Sequence, residues 1–280
     1  MRVSDPPRVA VRRAPARVRL PSWITPDGRT RIAGDEIHVW RVDVTPNVGR
    51  VPSLARTLAP DETAHVGRLR FRRGRDRYVL AHGALRAIVG SHLAVAPREV
   101  RLQRGPRGAP NLGGGGLGYS ISYADDVVLI AITGGGQVGV DVERVRPGVA
   151  IDVARAFAPN VVASLEALPP ADRDRQFFRA WTGLEAYSKA RGTGLDHELD
   201  RFETFFDHSG DDPQVREDGS TPRWWIGHFL PRGGYMAAVA APRHRRLVYR
   251  MWPAEATLGS PDTATLGSNT ARVQSHEAPP

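Results

Sequence analysis

The spacing of apolar side chains changes several times along the chain, and each change predicts an element. Glu36 to Thr45, EIHVWRVDVT, alternates apolar and polar residues and predicts a first strand that Pro46 ends. Asp61 in LAPDET is placed to cap a helix, and helical spacing continues through Tyr78, Leu85, Ile88 and Val89. YSISYADD and VVLIAIT predict two strands joined by a turn, and Gly134 to Gly136 lead tightly into Gln137 to Arg144, QVGVDVER. That acidic strand is expected to be half of a hairpin, with Val140 and Val142 on one face and Asp141 and Glu143 on the other. Ile151 to Leu168 has a helical pattern, broken at Pro169 and Pro170. A second helix follows until Gly192 and Gly194. On it Phe177, Trp181, Leu184 and Ser188 form one stripe, and Phe178, Thr182, Glu185 and Lys189 its neighbour. Beyond it RFETFF, a polar turn at Ser209 to Pro222, RWWIGHFL, YMAAVAA and LVYRMW read as short strands of an antiparallel sheet.

Three stretches lack periodicity. Residues 1–34 are rich in Arg and Pro and are expected to form a disordered arm, Arg104 to Gly118 reads as a Gly/Pro loop, and 254–280, which repeats ATLGS, reads as a disordered tail. Between them the chain echoes itself. Val42-Asp43-Val44 recurs as Val140-Asp141-Val142, and Ala84-Leu85-Arg86-Ala87 resembles Gly183-Leu184-Glu185-Ala186, at offsets of 98 and 99. This divides the chain into an N-terminal half, 35–137, and a C-terminal half, 138–253.

Composition narrows the chemistry. The 280 residues contain no cysteine, which excludes disulfides, zinc–thiolate sites and cysteine nucleophiles. No apolar run reaches membrane-spanning length and no signal-peptide core opens the chain, so a soluble cytoplasmic protein is expected. The formal charge is +9, carried by 38 arginines and a single lysine, Lys189. Arginine bias reflects nucleotide composition, but a compact ammonium retained beside Glu185 points to a chemical use. Excess positive charge fits an acidic partner, and the run Arg68 to Arg77 is either a solvated face or an anion site. If the strand end and helix face meet, Asp141, Glu143 and Glu185 make an all-oxygen site open on one side, which suits Mg²⁺ when substrate phosphates complete the coordination. The alternative is an exposed strand face and an ordinary helical Glu–Lys pair.

VGVDVE at 138–143, WTGLEAYSKARGTGL at 181–195 and GYMAAVA at 234–240, in that order, resemble the large pseudodimeric 4′-phosphopantetheinyl transferases over roughly Glu36 to Trp252. The resemblance implies an α+β fold of two similar halves, each with a small antiparallel sheet packed on a long helix. It also implies Mg²⁺-dependent transfer of phosphopantetheine from coenzyme A to a serine of an acyl or peptidyl carrier protein, releasing adenosine 3′,5′-bisphosphate. Asp141, Glu143 and Glu185 would be the metal ligands, Glu185 and Lys189 the catalytic pair, and Arg72, Arg73, Arg77, Arg107, Gly108, Ser122, Tyr123, Asp141 and Lys189 the coenzyme A contacts. A monomer with an internal pseudo-twofold is expected, with neither nucleic acid nor membrane as partner. Three positions depart from the family pattern: Ala109 stands where lysine is usual, Tyr123 where histidine is usual, and Leu184 where lysine is frequent. These motivate the rival reading of a lapsed member that binds coenzyme A or a carrier protein without transfer; an Arg-rich nucleic-acid-binding protein is the remaining alternative.

Overall fold

The strand VVLIAIT, Val127–Thr133, is buried at every position, so both of its faces need cover. The computed structural model describes residues 18, 20–26, 31–104, 110–112, 116–195, 214–217 and 220–253, and it supplies both. The architecture is α+β. In chain order the elements are β1 (Glu36–Asp43), α1 (Val51–Ala55), α2 (Pro60–Arg68), α3 (Arg72–Leu93), β2 (Leu102–Arg104), β3 (Pro110–Leu112), β4 (Gly118–Ala124), β5 (Val127–Thr133), β6 (Gly139–Arg144), α4 (Ala150–Phe157), α5 (Val162–Glu166), α6 (Pro170–Arg191), β7 (Gln214–Glu217), β8 (Ser220–Phe229), β9 (Tyr235–Ala241) and β10 (Arg246–Met251).

Two sheets stack between the long helices. The first runs β10-β1-β5-β4-β3-β2 and the second β6-β9-β8-β7. Helix α3 covers the outer face of the first sheet, where Leu80, Leu85 and Ile88 meet Trp40, Val42, Val128 and Ile130. The inner faces pack on each other through Ile37, Val39, Leu129 and Ala131 against Val140, Val142, Phe229 and Val239. Helix α6 covers the far side, with Phe177, Leu184 and Tyr187 on Met236, Ala238 and Ala240. Alternation along each strand thus serves two apolar layers at once, and each large side chain fully buried there contributes about 1.5–3 kcal/mol. Pro170 opens α6, and Gly192 closes it at φ 69°, its N–H donating to the Ser188 carbonyl.

Several expectations change. The acidic strand β6 is no hairpin partner of β5: β5 pairs with β1 and β4, while β6 pairs antiparallel with β9. The valines of β6 lie face to face with β5 instead of beside it in one sheet. The last strand, β10, joins the first sheet parallel to β1, with Leu247 opposite Ile37. Arg245, buried just before it, fixes this crossing by donating to Gly34 O, Thr133 Oγ1 and Gly135 O. Ala59, not Asp61, caps α2, and the Glu62 carboxylate accepts the Ala59 N–H. Pro110–Leu112 forms a short strand inside the expected loop, and β7 with the start of β8 occupies the expected polar turn. The helical stretch 151–168 divides at Ala158, where Pro159 opens a 3₁₀ turn.

Within the expected arm, Ile24 bridges to Arg250, and Trp23 packs edge-on against Phe229 and Tyr249 and donates from Nε1 to Pro231 O. One large ring is enough to dock a segment whose composition otherwise reads as unstructured. RFETFF and the 254–280 tail lie outside the described residues.

Candidate active site

Strand β6 and helix α6 come together at a glycine. A Cβ on Gly139 would stand 1.8 Å from the Ala186 carbonyl oxygen and 2.7 Å from the Ala190 amide, so only glycine lets the strand lie this close. Two residues on, Asp141 meets Lys189, whose Nζ donates to Asp141 Oδ1 at 2.6 Å. From β4, Ser122 donates to the same Oδ1 at 2.8 Å and accepts from Lys189 Nζ at 3.1 Å. Asp141 Oδ2 is buried and has no partner. Along residues 176–190 of α6 only Trp181, Glu185 and Lys189 keep partial exposure, and they recur every four residues on one line of the helix. The helix therefore leaves its acid and its base partly exposed along one face.

The charges act on one another. Burial, then the charge of Asp141, raises the Glu143 carboxyl to about 7, against the opposing pull of Lys189. Burial and Asp141 also raise Glu185. Burial works to lower the Lys189 ammonium, but Asp141 and Glu185, the hydrogen bond to Asp141 and the charge of Glu143 outweigh it and the shift is upward. Three carboxyl groups thus share Lys189, with Arg146 acting on Glu143 alone and less strongly, an excess of negative potential that a further cation would relieve.

The donor set fits a hard divalent ion: it is oxygen-only, and it includes the orphaned Asp141 Oδ2. Among the described residues no three His, Asp or Glu side chains are placed to hold a metal ion by themselves. An ion here would take its remaining ligands from substrate oxygens or water.

The other expected residues divide into two groups. Arg77, half-buried on α3, lies with its guanidinium carbon 5.1 Å from the Tyr123 ring centroid, and its Nε is buried without a partner. Tyr123 directly follows Ser122 on β4, so this pair adjoins the carboxylate cluster across one strand. Arg72 and Arg73 lie exposed on the first turn of α3, Arg72 pairing with Asp76 at 3.4 Å. Arg107 and Gly108 lie outside the described residues, as does Ala109. Sequence reasoning passed over Gly139 and Ser120. A glycine inside a strand is the general sign of close approach, and Ser120 with Ser122 makes a small polar face in an otherwise apolar strand.

The description of the 4′-phosphopantetheinyl transferase superfamily matches residues 137–240, which contain β6, α6 and β9. The chain is 31% identical over 225 residues to the 4′-phosphopantetheinyl transferase HetI of Nostoc sp., covering 78% of this chain and 93% of that protein. It is 30% identical over 105 residues to a 4′-phosphopantetheinyl transferase of Bacillus subtilis, covering 37% and 46% of the two chains. A third relative is the L-aminoadipate-semialdehyde dehydrogenase-phosphopantetheinyl transferase of Xenopus laevis, 26% identical over 163 residues, 53% of this chain and 54% of that one. This chain belongs to the 4′-phosphopantetheinyl transferase superfamily, and it is a transferase. No helix among the described residues is long and apolar enough to cross a membrane.

Proposed function

We propose that the protein transfers 4′-phosphopantetheine from coenzyme A to a serine of an acyl or peptidyl carrier protein, in a Mg²⁺-dependent reaction. The observation that carries this is the contact of Asp141 with Lys189 and Ser122, with Glu185 and Glu143 in the same field. The serine oxygen forms a bond to the pantetheine-bearing phosphorus. The bond from that phosphorus to the bridging oxygen breaks, and adenosine 3′,5′-bisphosphate leaves. Glu185 takes the serine proton, a role that contributes about 10²- to 10⁴-fold. Lys189 holds the diphosphate and stabilises charge on the leaving phosphate. Asp141, Glu143 and Glu185 would hold Mg²⁺, which supplies charge neutralisation at the diphosphate.

Arg77, shelved on Tyr123, and the exposed Arg72 and Arg73 serve the adenosine phosphate side, and Arg107 and Gly108 contact coenzyme A as well. The basic surface suits acidic carrier proteins. We read the chain as two copied halves working as a cytoplasmic monomer, with β1 and α3 corresponding to β6 and α6. Sedimentation at twice the chain mass would count against the monomer.

The test is intact mass spectrometry of an apo carrier protein incubated with the protein, coenzyme A and Mg²⁺, beside Glu185→Ala and EDTA controls. A gain of one phosphopantetheine, lost in both controls, supports the assignment. No gain across several carrier types, with coenzyme A still bound, would refute it in favour of a binding protein that has lost transfer.

A further inference from the structure

Among the described residues strand β6 pairs along one edge only, with β9. On its other edge no described strand accepts the Val140 and Val142 amides, and two hydroxyls of β4 do so instead. Val140 N–H donates to Ser120 Oγ at 3.0 Å, and Val142 N–H donates to Ser122 Oγ at 3.4 Å. Both serines are buried, Ser120 at 1% exposure and Ser122 at 7%. The serines are two apart on β4 and the valines two apart on β6, so the hydroxyls match the strand repeat. Asp141 lies between the two clasped amides. Ser122 alone also holds the Asp141 carboxylate and Lys189, while Ser120 touches neither.

We propose that Ser120 is a positioning residue for the transfer reaction: together with Ser122 it clasps the free edge of β6 and fixes the register of Asp141 against Lys189. The clasp is also the seam between the sheet that carries Arg77's aromatic shelf and the strand that carries the acids. It therefore sets the spacing between the Tyr123 shelf under Arg77 and Asp141. This inference rests on the functional reading above, and its failure is distinguishable from a failure of that reading.

Without the Ser120 oxygen the Val140 amide is a buried donor with no acceptor, and β6 relieves it by shifting its edge. A shift approaching 1 Å at a reacting centre can cost about 10²-fold, so a partial shift is expected to cost about tenfold. Ser120→Ala should lower kcat about tenfold with little change in the KM for the carrier protein. It should also weaken Mn²⁺ binding, read by electron paramagnetic resonance without coenzyme A or carrier, by a similar factor.

Two comparisons separate positioning from general loosening. Ile88→Val, in the core under α3 and remote from the seam, lowers the melting temperature but leaves Mn²⁺ affinity in place. Ser120→Thr and Ser120→Val add nearly the same bulk and differ in the hydroxyl. The Thr variant should keep Mn²⁺ affinity and kcat closer to the parent than the Val variant does, which decides the matter even if Ser120→Ala folds poorly. Equal Mn²⁺ affinity in parent, Ala and Val variants would overturn the clasp. If the parent protein transfers nothing, the functional reading fails, and the Mn²⁺ titrations still decide whether Ser120 positions Asp141.

Discussion

Gly139 is where the site is most exposed to a single-atom change. Gly139→Ala places a methyl carbon 1.8 Å from the Ala186 carbonyl oxygen, and ordinary contact begins at 3.4 Å, so strand and helix must separate by about 1.6 Å there. The obstruction is helix backbone, hydrogen-bonded within α6, so it cannot swing aside as a side chain would. Overpacking of this kind costs about 1–3 kcal/mol. For a domain of this size that lowers the melting temperature by roughly 2–12 °C. The larger effect should be on transfer. Asp141 lies two residues away and reaches Lys189 across the same gap at 2.6 Å, and a displacement above 1 Å at such a contact is expected to reduce kcat/KM about 10²-fold or more. The assays are thermal unfolding and phosphopantetheine transfer by mass spectrometry. Gly49→Ala serves as control, because a Cβ there meets nothing within 4 Å. A Gly139→Ala protein that melts with the parent and transfers within threefold of it would refute the claim that this contact sets the site.

Three further outcomes are expected. Lys189→Met should abolish most transfer, and Lys189→Arg should not restore it, because the planar guanidinium cannot take the place of a compact ammonium between Ser122 and Asp141. Since the Lys189 side chain keeps 30% exposure, the stability lost with it should be only about 1–2 kcal/mol, checked by urea denaturation. His228, which bridges β8 to the Arg179 carbonyl of α6 at 2.9 Å, is lowered to about 3 by burial and then by the Arg179 charge. A folded-state value below the unfolded 6.5 means that the unfolded chain binds the proton first, so stability is full above 6.5 and falls with pH below it, by about 2 kcal/mol at pH 5. His38, held to about 4 by burial although Glu36 pulls it upward, adds to the loss in that window. Denaturant midpoints from pH 7 to 5 should fall less steeply in His228→Phe than in the parent, and an unchanged slope would sink this account. Trp23→Ala should release the N-terminal segment from Phe229 and Tyr249, costing about 1–3 kcal/mol and exposing residues 20–26 to limited proteolysis.

Elements were legible where periodicity and punctuation agreed. β1, β4, β5, α3 and α6 follow from alternation, helical stripes and the stops at Pro46 and Gly192. Partners were not legible. β6 has the same alternation whether it pairs with β5 or stacks face to face on it, and only the three-dimensional saturation of β5 by β1 and β4 decides between them. β10 likewise reads as a strand from its residues, but its parallel seat beside β1 depends on Arg245 reaching three oxygens distant in sequence. For the site, residue types at strand and helix spacing named the acids and the lysine. What sequence could not supply was the distance between strand and helix, because that distance is set by the absence of a side chain at Gly139 and by hydroxyls arriving from a strand of the other sheet.

The contrast between the two proposed halves accounts for placing the proposed chemistry in only one of them. Asp43, the counterpart of Asp141, is held by Arg41 through two hydrogen bonds of 3.1 and 2.8 Å, with Arg232 adding a third contact at 3.5 Å. Arg86, the counterpart of Glu185, is buried and donates to Glu62 at 2.7 Å, tying α3 to α2. In the first half each charge meets its opposite, and the strand–helix pair is used to hold the protein together. In the second half the same positions carry acids facing the Lys189 ammonium, with Arg146 reaching only Glu143, so the compensation is incomplete. Asp141 Oδ2 remains buried without a donor, and two carboxyl groups are pushed above their ordinary range. A fold tolerates such an imbalance where an external cation and an anionic substrate complete it. Restoring internal balance, for instance with Glu185→Arg to copy the first half, should therefore relieve the electrostatic strain while abolishing transfer.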